Sequence, residues 1–181
     1  MESPIRICQF TPCLWSGGTE ERMARIISTL DPSEFEINWL GFGPAREALG
    51  DKAGPHVTMH PIQRYPNRGI ELACIQRVAR KLYALKPHIL HIHNWSTSLY
   101  GIAAAQLAQV PVVFYGSGGR EVSAGADGRR QKLMRALGQH IDGFTSVCQF
   151  LGDELAEDFA VPQERIHVIK TGVDLEKIDQ G

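Results

Sequence analysis

Four short stretches carry residue types that could do chemistry: Ser16-Gly17-Gly18-Thr19, His91-Ile92-His93-Asn94-Trp95, Gly116-Ser117-Gly118-Gly119-Arg120 and Ser146-Val147-Cys148-Gln149. The first sets two glycines ahead of a helix start. Lacking a Cβ, glycine lets a phosphate or a sugar approach the main chain, and a helix N-terminus adds unpaired N–H groups with partial positive charge. The same pair also suits a helix start that needs only glycine's backbone angles, and both readings stay open. The spacing is not GxGxxG, so it does not support a nicotinamide dinucleotide site. Gly116 to Arg120 could form a second nest of N–H donors with Arg120 to pair an anion, or simply a loop into the next helix. His91 and His93 share one strand face, with His88 on the other. Neither Asp, Glu nor Cys supplies a third ligand nearby, so no metal site is expected. His91 reads as a packed strand histidine and His93 as a hydrogen-bonding group on the rim of a cleft. The chain has no GxSxG elbow and no Walker sequence, which removes hydrolase and P-loop chemistry.

Those turns need elements to hold them. Ile5 to Phe10 is a short apolar run suited to a buried parallel strand. A turn with Pro12, Gly17 and Gly18 leads to a helix from about Thr19 to Leu30, with Thr19 as N-cap, Glu20 and Glu21 in the first turn and Asp31-Pro32 as the stop. Phe35 to Phe42 and Val57 to Ile62 read as strands, with a short helix at Pro44 to Leu49 between them. Ile70 to Leu85 is a long helix whose Leu72, Ile75, Val78, Leu82 and Leu85 fall on one face, and Pro87 stops it. His88 to His93, Pro111 to Tyr115, Gly143 to Cys148 and Arg165 to Ile169 are further strands. Helices at about Ser96 to Gln109, Asp127 to Leu137 and Phe150 to Phe159 separate them. This alternation predicts a single doubly wound, Rossmann-like α/β domain with a parallel sheet of about seven strands and helices on both faces. In such an open sheet ligands bind beyond the carboxyl ends of the strands, where all four turns fall.

The chain has 181 residues, one domain's length, with 19 basic and 20 acidic side chains and a formal net charge of -1. That balance argues against a nucleic-acid partner. Cys8, Cys13, Cys74 and Cys148 form no CxxC pair, and no secretory signal pattern is present, so reduced thiols in a cytoplasmic protein are expected. No apolar run approaches the roughly 20 residues that span a bilayer. The helix with Arg129, Arg130, Lys132 and Arg135 has an apolar side of Leu133, Met134 and Leu137. It could rest on the inner face of an anionic membrane or a lipid-linked acceptor, or be an ordinary solvated face.

In combination the turns resemble the N-terminal domain of family-four retaining glycosyltransferases of the GT-B type. The pieces are Gly17-Gly18-Thr19-Glu20, Lys86 to His93 before a small-residue helix, Val110 to Val113, Gly119-Arg120-Glu121 and Pro162 to Asp174. The histidine strand and Gly-Arg-Glu pieces are most similar to a subgroup linked to exopolysaccharide and exosortase systems. The resemblance implies two Rossmann-like domains facing across a cleft, the first holding the acceptor and the second the nucleotide-sugar, with no bound metal and no cofactor beyond that co-substrate. Gly17 and Gly18 would then contact the donor's phosphate and sugar, and His93, Asn94, Trp95, Gly119, Arg120, Glu121 and Cys148 would form the acceptor side or cleft rim. The sequence departs from the pattern in three places. The histidine common after the fifth strand is replaced near Ser117 and Gly118, Cys148 stands where serine is frequent, and Thr171 where asparagine precedes Gly-Val-Asp.

Residues 1–172 are therefore expected to be the acceptor-side domain and 173–181 the start of an interdomain linker, with the donor domain absent and the isolated chain inactive. The partner set is a glycan or lipid-linked acceptor and a donor domain in cis or in trans. Two other readings stay open: a non-catalytic glycan or lipid-linked sugar binding module, and an unrelated dinucleotide- or flavin-binding enzyme of the same architecture.

Overall fold

The computed structural model of the chain describes residues 3–65, 70–119 and 128–172, except for the side chains of 128–131. Seven strands, β1 (Ile5–Thr11), β2 (Phe35–Phe42), β3 (Val57–Ile62), β4 (Ile89–His93), β5 (Val112–Ser117), β6 (Gly143–Ser146) and β7 (Ile166–Val168), form one sheet in the order β3-β2-β1-β4-β5-β6-β7. Every pairing is parallel. Helices α1 (Gly18–Ser28), α2 (Glu47–Ala53), α3 (Leu72–Leu85), α4 (Trp95–Ala108), α5 (Gly128–Gly138) and α6 (Gln149–Phe159) make the crossovers. The expected class stands: a doubly wound, Rossmann-like α/β domain.

The strand order has a direct packing consequence. Right-handed crossovers put the helices of β1→β2→β3 on one face and, once the order reverses at β4, those of the remaining strands on the other. The two cores show this division. The larger joins Phe10, Leu40, Leu90, Ile92, Val113, Tyr115 and Phe144 of the sheet to residues of α3, α4, α5 and α6. The smaller joins Ile37 and Trp39 to Met23, Ala24 and Ile27 of α1 and Leu49 and Ala53 of α2. No residue of β4 to β7 belongs to the smaller core. Among the described residues, that half of the face therefore lacks the helix packing that α1 and α2 give the other half.

Several expected boundaries moved by a few residues, most clearly at α1 and α2. Helix α1 begins at Gly18 with Gly17, not Thr19, as its N-cap, because Gly17 holds an extended conformation (φ -152°, ψ 165°) that any residue adopts. The helix ends at Ser28 instead of near Leu30, where the Ser28 and Thr29 hydroxyls donate to the carbonyls of Arg25 and Ile26 and take up helix acceptors. The short helix expected at Pro44 to Leu49 lies at Glu47–Ala53. Pro61 is tolerated inside β3 because β3 is an edge strand.

The loop that leaves β1 is tied to the smaller core. The buried Trp39 indole N–H donates to Thr11 Oγ1 at 2.9 Å, and that hydroxyl donates onward to the Cys13 carbonyl at 2.6 Å. One hydroxyl thus satisfies a buried indole and fixes the path toward Gly17. Replacing it with a methyl of equal size, Thr11→Val, leaves both groups unpaired, a cost of about 1–3 kcal/mol. Urea denaturation is expected to read that loss; unchanged stability would show that water replaces the hydroxyl.

Candidate functional site

The half-face without helix cover is also the polar part of the sheet. In register across it, Trp39 of β2 is followed by Gln9 of β1, His91 of β4 and Phe114 of β5. One row further toward the carboxyl ends, His93, Gly116 and Thr145 align on β4, β5 and β6. Beneath α1 the face is apolar; past the reversal it becomes amide, imidazole and hydroxyl. A cleft of about 500 Å³ opens there, with Gln9, His91, His93 and Thr145 on its floor, α1 as one wall and residues 169–172 after β7 as the other. Arg22, Arg25 and Ile26 face it from α1, and Ser117 and Ser146 from the strand ends.

His93 is not the rim residue expected from sequence. It is 1% exposed, and Nε2 lies 2.8 Å from Oε1 of the buried Gln9. The amide oxygen only accepts, so Nε2 carries the proton and Nδ1 presents a bare lone pair, which finds no partner among the described residues. Burial follows from its place on β4 between β1 and Gly116 of β5. His91, expected to be packed, is the more open of the two and meets Thr145 Oγ1 at 3.1 Å. The two rings lie 4.1 Å apart between centroids. Gly116 makes this approach feasible, since a Cβ there would stand 2.9 Å from His91 Nε2 and 3.0 Å from His93 Nδ1.

Burial, reinforced by the positive charge of Arg22, holds the His91 imidazole down to about 4. Burial, then His91 and Arg22, push His93 well below the ordinary histidine range. Both are neutral at neutral pH and act as hydrogen-bonding groups.

The glycine turns come to the same end of the sheet. Gly17 has a structural partner: a Cβ there would meet the buried Glu20 carboxylate at 2.5 Å. Gly18 has none, since a Cβ at that position would find nothing within 4 Å, so the fold does not ask for glycine there. Gly118 abuts the start of α1, 3.0 Å from Thr19 Oγ1 and 2.7 Å from Arg22 Nη2 by the same measure. Gly119 is open. Asn94 caps α4 at φ 67°, ψ 156°, a conformation that costs a non-glycine residue about 1–3 kcal/mol, and its N–H donates to the Gly116 carbonyl. Trp95 begins α4 and packs against the larger core, and Cys148 is the half-exposed N-cap of α6, its carbonyl accepting from Ser146 Oγ.

Of the residues expected from sequence, His93 and Ser117 line the cleft, Gly118 backs it, and Gly17, Gly18, Asn94, Trp95, Gly119 and Cys148 surround its strand-end side without lining it. Arg120 and Glu121 lie outside the described residues, as do 173–181 and the side chains of Arg129 and Arg130. Lys132 and Arg135 are exposed, but Met134 and Leu137 are buried in the larger core with Leu133 against them, which takes that helix's apolar side away from any membrane. Among the described residues no group of three or more His, Cys, Asp and Glu could hold a metal ion, and no helix is long and apolar enough to cross a membrane. Sequence reading missed Gln9, Arg22 and Thr145. The signal for Gln9 was an amide between the buried Cys8 and Phe10 of β1; Arg22 gave none.

The family model described as Glycosyltransferase Family 4 matches residues 16–177. The chain belongs to that family. Among solved structures, this family-4 chain is similar to a glycosyltransferase from Rickettsia africae (TM-score 0.73, 15% identity, 98% of this chain and 46% of that one). It is likewise similar to Anabaena HepE in complex with UDP and glucose (0.69, 13%, 95% and 46%). A third is the UDP-GlcNAc 2-epimerase of Neisseria meningitidis bound to UDP-GlcNAc (0.61, 15%, 93% and 47%). At these identities the likeness is one of fold. The family-4 chain spans just under half the length of each. No curated protein sequence matches it at a significant level.

The neutral imidazoles of this family-4 domain carry a pH signature. In the unfolded chain a histidine titrates near 6.5, so below that pH the unfolded state binds more protons than the folded one. The His91 contribution is present in full above pH 6.5 and is lost as pH falls toward about 4. Between pH 7 and pH 5 the wild type is expected to lose roughly 2 kcal/mol more than His91→Asn in urea denaturation. Parallel pH profiles would mean that His91 is not held neutral.

Proposed function

We propose that this family-4 domain is the acceptor-side half of a retaining glycosyltransferase, moving a sugar from a nucleotide-sugar to a glycan or lipid-linked acceptor and needing a donor-binding domain for turnover. The observation that carries the reading is the position of the cleft. It lies where the strand order reverses, along α1 from Arg22 to Thr29 with the N-terminal turn of that helix at its strand-end side, on the half-face over which no helix packs among the described residues. Fixed N–H groups at that turn can stabilise charge developing on a departing diphosphate without reorganising. Gly18 leaves the approach open and is the better candidate for that contact than Gly17, whose space Glu20 takes. Asn94, Trp95, Gly119 and Cys148, with Arg120 and Glu121, are assigned to the acceptor side. HepE is described with UDP and glucose and the epimerase with UDP-GlcNAc, which supports a nucleotide-sugar as the co-substrate; the reading needs no other cofactor. A cytoplasmic location, at the inner face of the membrane where the acceptor is lipid-linked, goes with it, and there Lys132 and Arg135 would offer charge alone.

Stabilising a transition state between two lobes requires both walls. Radiolabelled nucleotide-sugars are expected to show no transfer by residues 1–181 alone, and transfer once the chain is joined, in cis or in trans, to a family-4 donor half. Turnover by the chain alone would overturn the two-wall requirement. Failure in both, with a glycan or lipid-linked sugar still bound, would favour the second reading, a non-catalytic binding module. The observation on its side is that residues 112–139 hold no histidine to meet the transferred sugar. In the active pair, Gly18→Ala is expected to lower kcat/KM at least about tenfold, or 1.4 kcal/mol, with Tm unchanged. Unaltered kinetics would remove Gly18 from the donor contact.

A further inference from the structure

Arg22 differs from the half-buried Arg6, Arg77 and Arg165 of this domain. Arg6 donates to the Lys86 carbonyl, Arg77 to Glu71 and to the Gln63 carbonyl, and Arg165 to the Gly138 carbonyl. Arg22 is half-buried, yet among the described residues it has no hydrogen-bond acceptor and no carboxylate within ion-pair distance. Its guanidinium lies over Gly118, whose missing side chain leaves the room, and its charge is felt by both His91 and His93. N–H donors drawn partly out of water without acceptors are unfavourable unless something else supplies the oxygen atoms.

The surroundings say what that would be. Arg22, Arg25 and Lys170 face the cleft and no Asp or Glu does. The imidazoles on the floor are neutral, so they do not compete for an anion. They and Gln9 offer donors and acceptors suited to hydroxyl groups, and the unpaired His93 Nδ1 is an acceptor of that kind, inside the protein at the cleft floor. A flat guanidinium fork matches two oxygens of a phosphate. We propose that Arg22 is a ligand-binding residue that holds the phosphate of a phosphorylated sugar, whose hydroxyls lie over Gln9 and the histidine pair. The proposal shares the cleft with the transferase reading but needs no transfer.

Calorimetric titration of the 181-residue chain tests it, with glucose 1-phosphate as the probe, methyl glucoside as the neutral control and glucuronate as the carboxylate control. Glucose 1-phosphate is expected to bind, the neutral sugar at least about tenfold more weakly, and Arg22→Met to weaken the phosphate ligand by tenfold or more, with Arg22→Lys recovering part of it. Separate arms with UDP and with a short-chain prenyl phosphate identify whether a nucleotide or a lipid bears the phosphate; binding of either through Arg22 supports the assignment. Thermal melting separates binding from a structural role. A half-buried cation without a partner among the described residues, kept for a ligand, predicts that Arg22→Met leaves the ligand-free Tm unchanged or raises it by about 2 °C. The assignment is overturned if wild type binds none of the phosphates, if glucuronate or methyl glucoside binds as tightly as glucose 1-phosphate, if Arg22→Met binds within twofold of wild type, or if that variant lowers the ligand-free Tm by several degrees. Loss of transferase activity in the joined enzyme while Arg22-dependent binding persists would sink the transferase reading alone.

Discussion

A parallel sheet whose strand order reverses cannot cover both faces evenly, because right-handed crossovers assign each helix to the face dictated by its direction of travel. In this domain the reversal falls between β1 and β4, so α1 and α2 pack one face of β1 to β3 and α3 to α6 pack the opposite face of the whole sheet. The half-face left over would be a stability defect were it apolar. Instead, beside Phe114, it carries Gln9, His91, His93, Gly116 and Thr145, where Gln9 pairs with His93 and Thr145 with His91, and the two imidazoles meet over a glycine. Topology thus decides where a site can exist, and side-chain chemistry makes that place tolerable without a helix above it.

The electrostatics of the cleft follow from the same arrangement. Helix α1 is the last cover before the bare half-face, so the side of α1 turned outward, with Arg22, Arg25 and Ile26, becomes a wall of the cleft. Arg22 raises the positive potential at the floor, and burial together with that charge keeps the histidines neutral. A neutral floor under a positive wall suits a ligand that is a polyol at one end and an anion at the other.

Most of the fold was legible from the sequence. β2 and β3 were read to the residue, since Phe35 to Phe42 and Val57 to Ile62 are bounded by unambiguous turns. The periodic apolar face of α3 was read to within two residues of its start. Less legible was what depends on register between strands far apart in the chain. His93 was assigned to a rim because its parity was known, but not that Gly116 and Gln9 would flank it, 23 and 84 positions away in the chain. Glycines 17 and 18 looked equivalent; the Glu20 carboxylate folded back on Gly17 tells them apart, and only coordinates show it. Arg22 was invisible because an exposed-looking arginine on an amphipathic helix has no sequence mark that says it faces a cleft without a carboxylate among the described residues.

Ligand binding at the bare, polar half-face beside α1 is what every functional statement above requires. Mapping amide and imidazole NMR shifts of the chain during titration with glucose 1-phosphate locates that binding residue by residue. Perturbed signals are expected to gather at Gln9, Arg22, His91, His93, Thr145 and Thr171, with the β3 edge and the α3–α4 surface silent. Saturable shifts confined to the α3–α6 side would place the ligand on the wrong face and refute the assignment.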